Sequence, residues 1–211
     1  MISLLLAAAV AASPAGQYTA PVARYSDSWI VPYLDWPRSG VPKGTYTAAS
    51  VELTVNSYGG VSGCKVVKVV GAAGMGDLTC DLLRVRARFD PARDPSGRRL
   101  WGIYRTRIIW WAPEDDMAKD WRPPADANYQ VTVDALPSSA KRPAVAWIQF
   151  AVDKTGQASG CNGVSEADED REFAQLACER LGPTFKSEAA LDRGGRPVDS
   201  VQTATVELMP R

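Results

Sequence analysis

The amino-acid sequence predicts an α+β protein built from two copies of one small disulfide-stapled module, each an antiparallel sheet with one helix on a face. Three observations carry this reading. Gly-x-x-Ser-Gly-Cys occurs at residues 59–64 and again at 156–161, each time just after an alternating apolar segment. A second cysteine follows at a matched interval, Cys80 after Cys64 and Cys178 after Cys161. Farther on, Asp94-Pro95-Ser96-Gly97-Arg98 corresponds to Asp192-Arg193-Gly194-Gly195-Arg196. All of these matches in one order mark an internal repeat.

In the first copy, Val51, Leu53 and Val55 alternate with polar residues, the period of a half-buried strand. Tyr58-Gly59-Gly60 turns the chain, and the β-branched run Val66–Val70 is a second strand. Asp77 is the expected cap of a helix whose Leu78, Leu82, Leu83 and Arg86 follow helical spacing. Phe89 packs back, and Leu100–Trp110 is a long closing strand.

The second copy repeats the order. Alternation over Ala146–Val152 gives its first strand, and Ser165 or Asp168 is the expected helix cap. Phe173, Leu176, Ala177 and Leu181 form one apolar helical stripe, ended by Gly182-Pro183. Val198–Leu208 is the last strand. The order strand–strand–helix–strand makes a thin core, where a covalent staple helps most. The expected pairs are Cys64–Cys80 and Cys161–Cys178; buried free thiols or a metal site are the alternatives, though zinc wants closely spaced cysteine pairs.

The expected domain division is residues 1–16, 17–111, 112–142 and 143–211. The first stretch reads as a signal peptide. Its apolar run Leu4–Ala12 is far shorter than the roughly 20 residues of a membrane-spanning helix, and small residues follow at once. No Lys or Arg precedes that run. Residues 17–111 hold the first module and an N-terminal edge segment. Residues 112–142 form a Pro-rich, acidic linker in which Asn128–Val133 is a candidate extra strand, and residues 143–211 hold the second module.

Composition narrows the chemistry. There is no histidine, which excludes Ser–His–Asp and Cys–His nucleophile systems and His-ligated zinc. Formal net charge is zero, so nothing in the whole-molecule balance points to nucleic acid. It hides an asymmetry: residues 51–111 carry ten Lys and Arg against five Asp and Glu, and residues 143–211 carry seven against eleven. Solvated faces explain this; mutual attraction of the modules, or an acidic envelope partner for the basic one, is the sharper reading. Gly71–Gly76 has neither phosphate-loop spacing nor the right context, and Glu166–Asp170 lacks the pattern of a calcium loop. No catalytic residue, metal site or cofactor is assigned.

The order of motifs in the first copy carries a family resemblance. Asp35-Trp36-Pro37 precedes the first strand, Gly60-Val61 stands before Cys64, Asp77-Leu78 opens the helix, and Phe89-Asp90-Pro91-Ala92 precedes the closing turn. Together they resemble the C-terminal domain of the TonB family of energy transducers, over most of residues 29–111. The second copy keeps Gly195-Arg196-Pro197-Val198 but has Thr184-Phe185-Lys186 in place of the Phe-x-Pro-Ala segment, and reads as diverged. A family transducer has a membrane anchor and a long spacer; only the short Leu4–Ala12 stretch stands before this first module, so a complete transducer is not expected.

The resemblance implies a periplasmic, non-enzymatic module whose partner is an envelope protein or peptide, an outer-membrane transport component among the candidates. Capture would be by strand addition at an exposed sheet edge. Leu100–Trp110 and Val198–Leu208 are the expected edges, with Trp101, Ile103, Arg105, Arg107 and Ile109 as the peptide-binding positions. The competing readings are an envelope enzyme working through carboxylates, which no paired-carboxylate motif supports because acids such as Asp90, Asp94 and Asp192 sit in turn-like contexts, and an assembly or stability factor without a specific ligand.

Overall fold

A computed structural model describes residues 17–30, 32–37, 46–110, 127–136, 144–164 and 168–211. The expected signal peptide, most of the expected linker and Ser165 lie outside the described residues. In chain order the elements are β1 (Val22–Arg24), α1 (Pro32–Asp35), β2 (Thr47–Val55), β3 (Val61–Val70), α2 (Met75–Arg86), β4 (Arg88–Asp90), β5 (Trp101–Trp110), β6 (Tyr129–Val133), β7 (Val145–Val152), β8 (Ala158–Gly163), α3 (Asp168–Leu181), β9 (Ala190–Leu191), β10 (Pro197–Val198) and β11 (Ser200–Pro210). The chain is thus mixed α+β, and the order strand–strand–helix–strand occurs twice, as β2–β3–α2–β5 and β7–β8–α3–β11.

The two halves do not form separate sheets. Seven strands make one sheet in the order β3-β2-β5-β11-β7-β8, with β6 added on β11. The halves meet where β5 and β11 run parallel, Trp101 opposite Ser200, Gly102 opposite Val201 and Ile103 opposite Gln202. Residues directly opposite in a ladder share a face. Tyr104 and Ile108 of the first core therefore lie on the face of Val201, while Ala204 and Val206 of the second core lie on the face of Ile103. It follows that α2 and α3 cover opposite faces of the common sheet.

Each helix is held to its own half. On one side Val51, Leu53 and Val55 pack with Leu83, Phe89 and Trp110, all nearly inaccessible. The Trp110 indole N–H donates to Thr79 Oγ1 at 2.9 Å, and that hydroxyl donates to the Met75 carbonyl at 2.6 Å, so the polar atoms in this core are matched. On the other side Ile148, Phe150 and Val206 pack with Ala174, Ala177 and Leu181. Disulfides Cys64–Cys80 and Cys161–Cys178 tie β3 to α2 and β8 to α3, with Cα separations of 5.5 and 5.7 Å.

One local expectation changes. Asp77 does not cap α2; the helix starts two residues earlier, after Gly74 in the left-handed region, and Asp77 sits in the first turn. A carboxylate there still suits the helix dipole. The glycine run sets this start because Gly76 lies against Val66 and Val69 of β3, where a Cβ would come within 2.7 Å of Val66 Cγ1. The hairpin turns follow the repeat. Asn56 Oδ1 accepts from the N–H groups of Tyr58 and Gly60, and Asp153 Oδ1 accepts from those of Thr155 and Gln157. Gly59 and Gly156 both take positive φ, and a Cβ at either would strike a carbonyl, that of Phe89 or of Ser187.

Two buried glutamines fasten a segment across each face of the junction. Gln149 donates to the Tyr18 carbonyl and accepts from the Ala20 N–H, both at 2.7 Å, so the N-terminal segment spans both halves instead of edging the first alone. On the other face Gln202 donates to the Glu188 carbonyl at 2.8 Å and accepts from Ser187 Oγ at 2.6 Å. Among the described residues every salt bridge joins groups of one half, for example Arg86–Asp35, Arg105–Glu52 and Arg180–Asp134. Among the described residues, the charge asymmetry of the halves is not spent on ion pairs between them. No helix among the described residues is long and apolar enough to cross a membrane.

Two outcomes follow for stability. Replacing Cys64 and Cys80 together by Ser opens a loop of 16 residues' separation and should lower unfolding free energy by about 3 kcal/mol, read from denaturant melts. Gln149→Leu strands the Ala20 N–H and the Tyr18 carbonyl; a loss of about 1–3 kcal/mol is expected, with faster proteolysis ahead of residue 25.

Candidate functional site

The strand ladder changes where a free edge can be sought. Neither β5 nor β11 stands at the margin of the sheet, so the expectation of an open edge along each is corrected. β11 is engaged along its whole length on the junction side. Ser200–Gln202 pair with β5, the Thr203 carbonyl accepts from Arg105, the Thr205 N–H donates to Asn128 Oδ1 at 3.1 Å, and Val206–Pro210 pair with β6. Trp101 and Ile103 are likewise consumed by pairing with β11.

β5 is different beyond that point. It continues against β2 to Trp110, but on its junction side no described strand pairs with it from Tyr104 onward. β11 leaves β5 and takes up β6, so the sheet splits into a wedge with β5 on one wall and β6 near the other. The Ile103 carbonyl accepts from Thr203 Oγ1 at 3.3 Å, which fixes the main-chain groups of Ile103 toward β11. By strand alternation, those of Arg105, Arg107 and Ile109 face the wedge, and those of Tyr104, Thr106 and Ile108 face β2. The wedge holds a groove of about 270 Å³, walled by Val51, Arg105, Arg107, Asn128, Val145 and Trp147 among others.

Arg105 explains why the split is stable. Its guanidinium pairs with Glu52 at 2.7 Å and also reaches the Thr203 carbonyl, at side-chain exposures of 17% and 24% for Arg105 and Glu52. A charge that sheltered needs its carboxylate partner, and the carbonyl it satisfies is the one β5 relinquishes. Arg107 lies one pleat further on, its Nε 3.4 Å from Ser50 Oγ, and burial lowers its pKa. Trp147 is half exposed on the face of β7 opposite its core residues Ala146, Ile148 and Phe150. Sequence reasoning missed Trp147 and Asn128. The odd position of Trp147 in an otherwise even apolar stripe was the signal for it.

The true margins of the sheet are blunted. β3 carries a bulge at Val67, exposed Lys65 and Lys68, and an Arg84 guanidinium 3.0 Å from the Cys64 carbonyl. β8 is six residues long, with a register break opposite Phe150. Bulges, lysines and short length are the usual devices against unwanted strand pairing. The inner edge of β5 has none of them.

The acids Asp90, Asp94 and Asp192 are held by neighbouring groups. Asp90 pairs with Arg24, whose hydrogen bond lowers its pKa. Asp94 is held down to about 2 by hydrogen bonds from Ser96 and Arg98. In the repeat-equivalent turn, the backbone N–H and side chain of Arg196 lower Asp192. In their ionised form Asp94 and Asp192 stabilise turns and Asp90 holds a cross-strand ion pair, the opposite of what a proton-donating acid requires. Of the tryptophans, Trp110 is core, Trp101 lies beside the 56–58 turn, and Trp111 is outside the described residues. Among the described residues no group of three metal-ligating side chains comes together.

Comparison of the chain with protein-family models, with curated proteins and with solved structures finds no match.

The Asp94 turn has a pH signature. Its folded pKa is about 2 against an ordinary 3.8, so its contribution is complete above about 4 and is lost as pH falls through about 2. Denaturant melts between those limits should show falling stability in the parent chain and a flatter profile in Asp94→Asn, which keeps an oxygen acceptor but no charge.

Proposed function

We infer that the chain is an exported, periplasmic protein-binding module of the TonB C-terminal-domain type, present as two tandem copies of which the second is diverged. It captures an extended peptide of an envelope protein by adding it as a strand to β5 beyond Ile103. The observation that carries this reading is the continuation of β5 from Tyr104 to Trp110 past its last described strand partner on the junction side. An extended peptide there would gain main-chain hydrogen bonds from Arg105 and Ile109, and its side chains would meet Trp147 and Val145 in the groove. The blunted margins of β3 and β8 favour this inner edge over either outer one. The two disulfides suit an oxidising compartment, and the signal-peptide reading of residues 1–16 supplies the route to it. An outer-membrane transport component is the partner the family resemblance suggests.

The experiment is a photo-crosslinking residue placed at Ile109 in intact cells, combined with an Ile109→Pro chain carrying the crosslinker at Arg107. Proline at Ile109 removes a wedge-facing N–H and leaves the β2 ladder intact, whereas proline at Thr106 would break that ladder. We expect one crosslinked envelope protein with the parent chain and loss of most of that product with Ile109→Pro. Undiminished crosslinking by a normally melting Ile109→Pro chain would refute strand addition here.

A further inference from the structure

A second groove, of about 420 Å³, lies at the other end of β5, between the turn after β2 and the turn joining β9 to β10. Its volume is ordinary for a small-molecule site, roughly 300–1,000 Å³. Tyr58 at the tip of the first turn is 86% exposed, and no other large hydrophobic residue among those described is more so. Trp101, at the start of β5, lines the same groove and belongs to none of the buried cores. Asp192, Arg193 and Arg196 of the facing turn complete the lining.

The repeat shows that the fold does not require these aromatics. Asn56-Ser57-Tyr58-Gly59 and Asp153-Lys154-Thr155-Gly156 are the same turn with the same acceptor geometry, and Thr155 stands where Tyr58 does. Gly102 opposite Val55 corresponds to Ser200 opposite Val152, so the companion of Trp101 is Asp199. A pair of large rings at an exposed groove, in positions that Thr155 and Asp199 fill in the companion half, is therefore available for a ligand.

Donors and acceptors identify its chemistry. The acceptors are used internally: Asn56 Oδ1 takes the N–H groups of Tyr58 and Gly60, Asp192 Oδ1 those of Gly194 and Arg196, and Asp192 Oδ2 the Arg196 Nε at 2.9 Å. Each of the remaining side-chain groups offers a donor. The Trp101 indole N–H, the Ser57 and Tyr58 hydroxyls and the Arg193 guanidinium have no hydrogen-bond partner among the described residues. Flat aromatic faces, surplus donors and one uncommitted cation fit a ring with an apolar face, many acceptor oxygens and a negative charge.

We propose that this groove binds a carboxylate-bearing sugar, with its ring stacked on Trp101 and Tyr58 and its carboxylate on Arg193. The site is separate from the wedge and does not rest on peptide capture there. Glucuronic acid is the probe, and glucose, the same ring without the carboxylate, is its control. Binding to the full oxidised chain is read from the Trp101 indole N–H resonance, assigned among the seven tryptophans with Trp101→Phe. The expected result is a saturable shift with glucuronic acid and binding at least about tenfold weaker with glucose. Tyr58→Ser and Arg193→Ala, both at exposed positions, should each weaken binding about tenfold, the scale of one lost charge-assisted or stacking contact. The absence of a saturable shift, equal binding of the two sugars, equal binding of inorganic phosphate, or undiminished binding by both variants would overturn the proposal.

Discussion

Three residue pairs between β5 and β11 determine most of the architecture. Because the two strands run parallel there, the two halves are related by a half-turn about the strand direction, and their helices must cover opposite faces. Neither helix can then cover the junction, which needs its own closure on both sides. The buried glutamines Gln149 and Gln202 provide it by anchoring main chain from Tyr18–Ala20 and Ser187–Glu188. A buried amide so placed is satisfied only if the crossing segment is present, so each glutamine specifies one path for the chain.

The same pairing is short, and its shortness creates the wedge. After Gln202 the edge of β11 passes from β5 to the Arg105 guanidinium, then to Asn128, then to β6. One strand is satisfied without interruption while its former neighbour continues along β2. The unequal treatment of two adjacent strands separates a structural edge from a candidate binding edge. The polar character of that surface comes from Ser50, Glu52, Arg105 and Arg107, which face away from the core beneath α2.

What was legible in the sequence was local. Alternation over Val51–Val55 and Ala146–Val152, the apolar stripe of α3, the two cysteine pairs and the Asp-led turns all involve residues close in the chain, where period and spacing report directly on geometry. The joining of β5 to β11 has no such signature. A strand that alternates reads the same whether its flank is open or paired, and a three-residue parallel ladder between positions a hundred residues apart leaves no local trace. Arg105 is expected at a peptide-binding edge, and its structural role is not legible because it depends on a carbonyl from the other half. Asp77 was misassigned for a smaller reason: the glycine run before it permits the backbone to enter the helix without a side-chain cap. Trp101 and Trp110 are alike in sequence and differ only in what their ends of β5 meet.

Each disulfide closes within one half, between elements adjacent in the chain, whereas the N-terminal segment at Tyr18–Ala20 rests on Gln149, more than a hundred residues later. Cys80 is far nearer to Cys64 along the chain than Cys161 is, so pairing within a half closes the shorter loop and is favoured over mispairing across the halves. The first described residues, by contrast, have their anchor Gln149 in the second half. Their docking reports completion of the whole molecule, which makes the N-terminal segment the natural position for a label that distinguishes a finished chain from two finished halves.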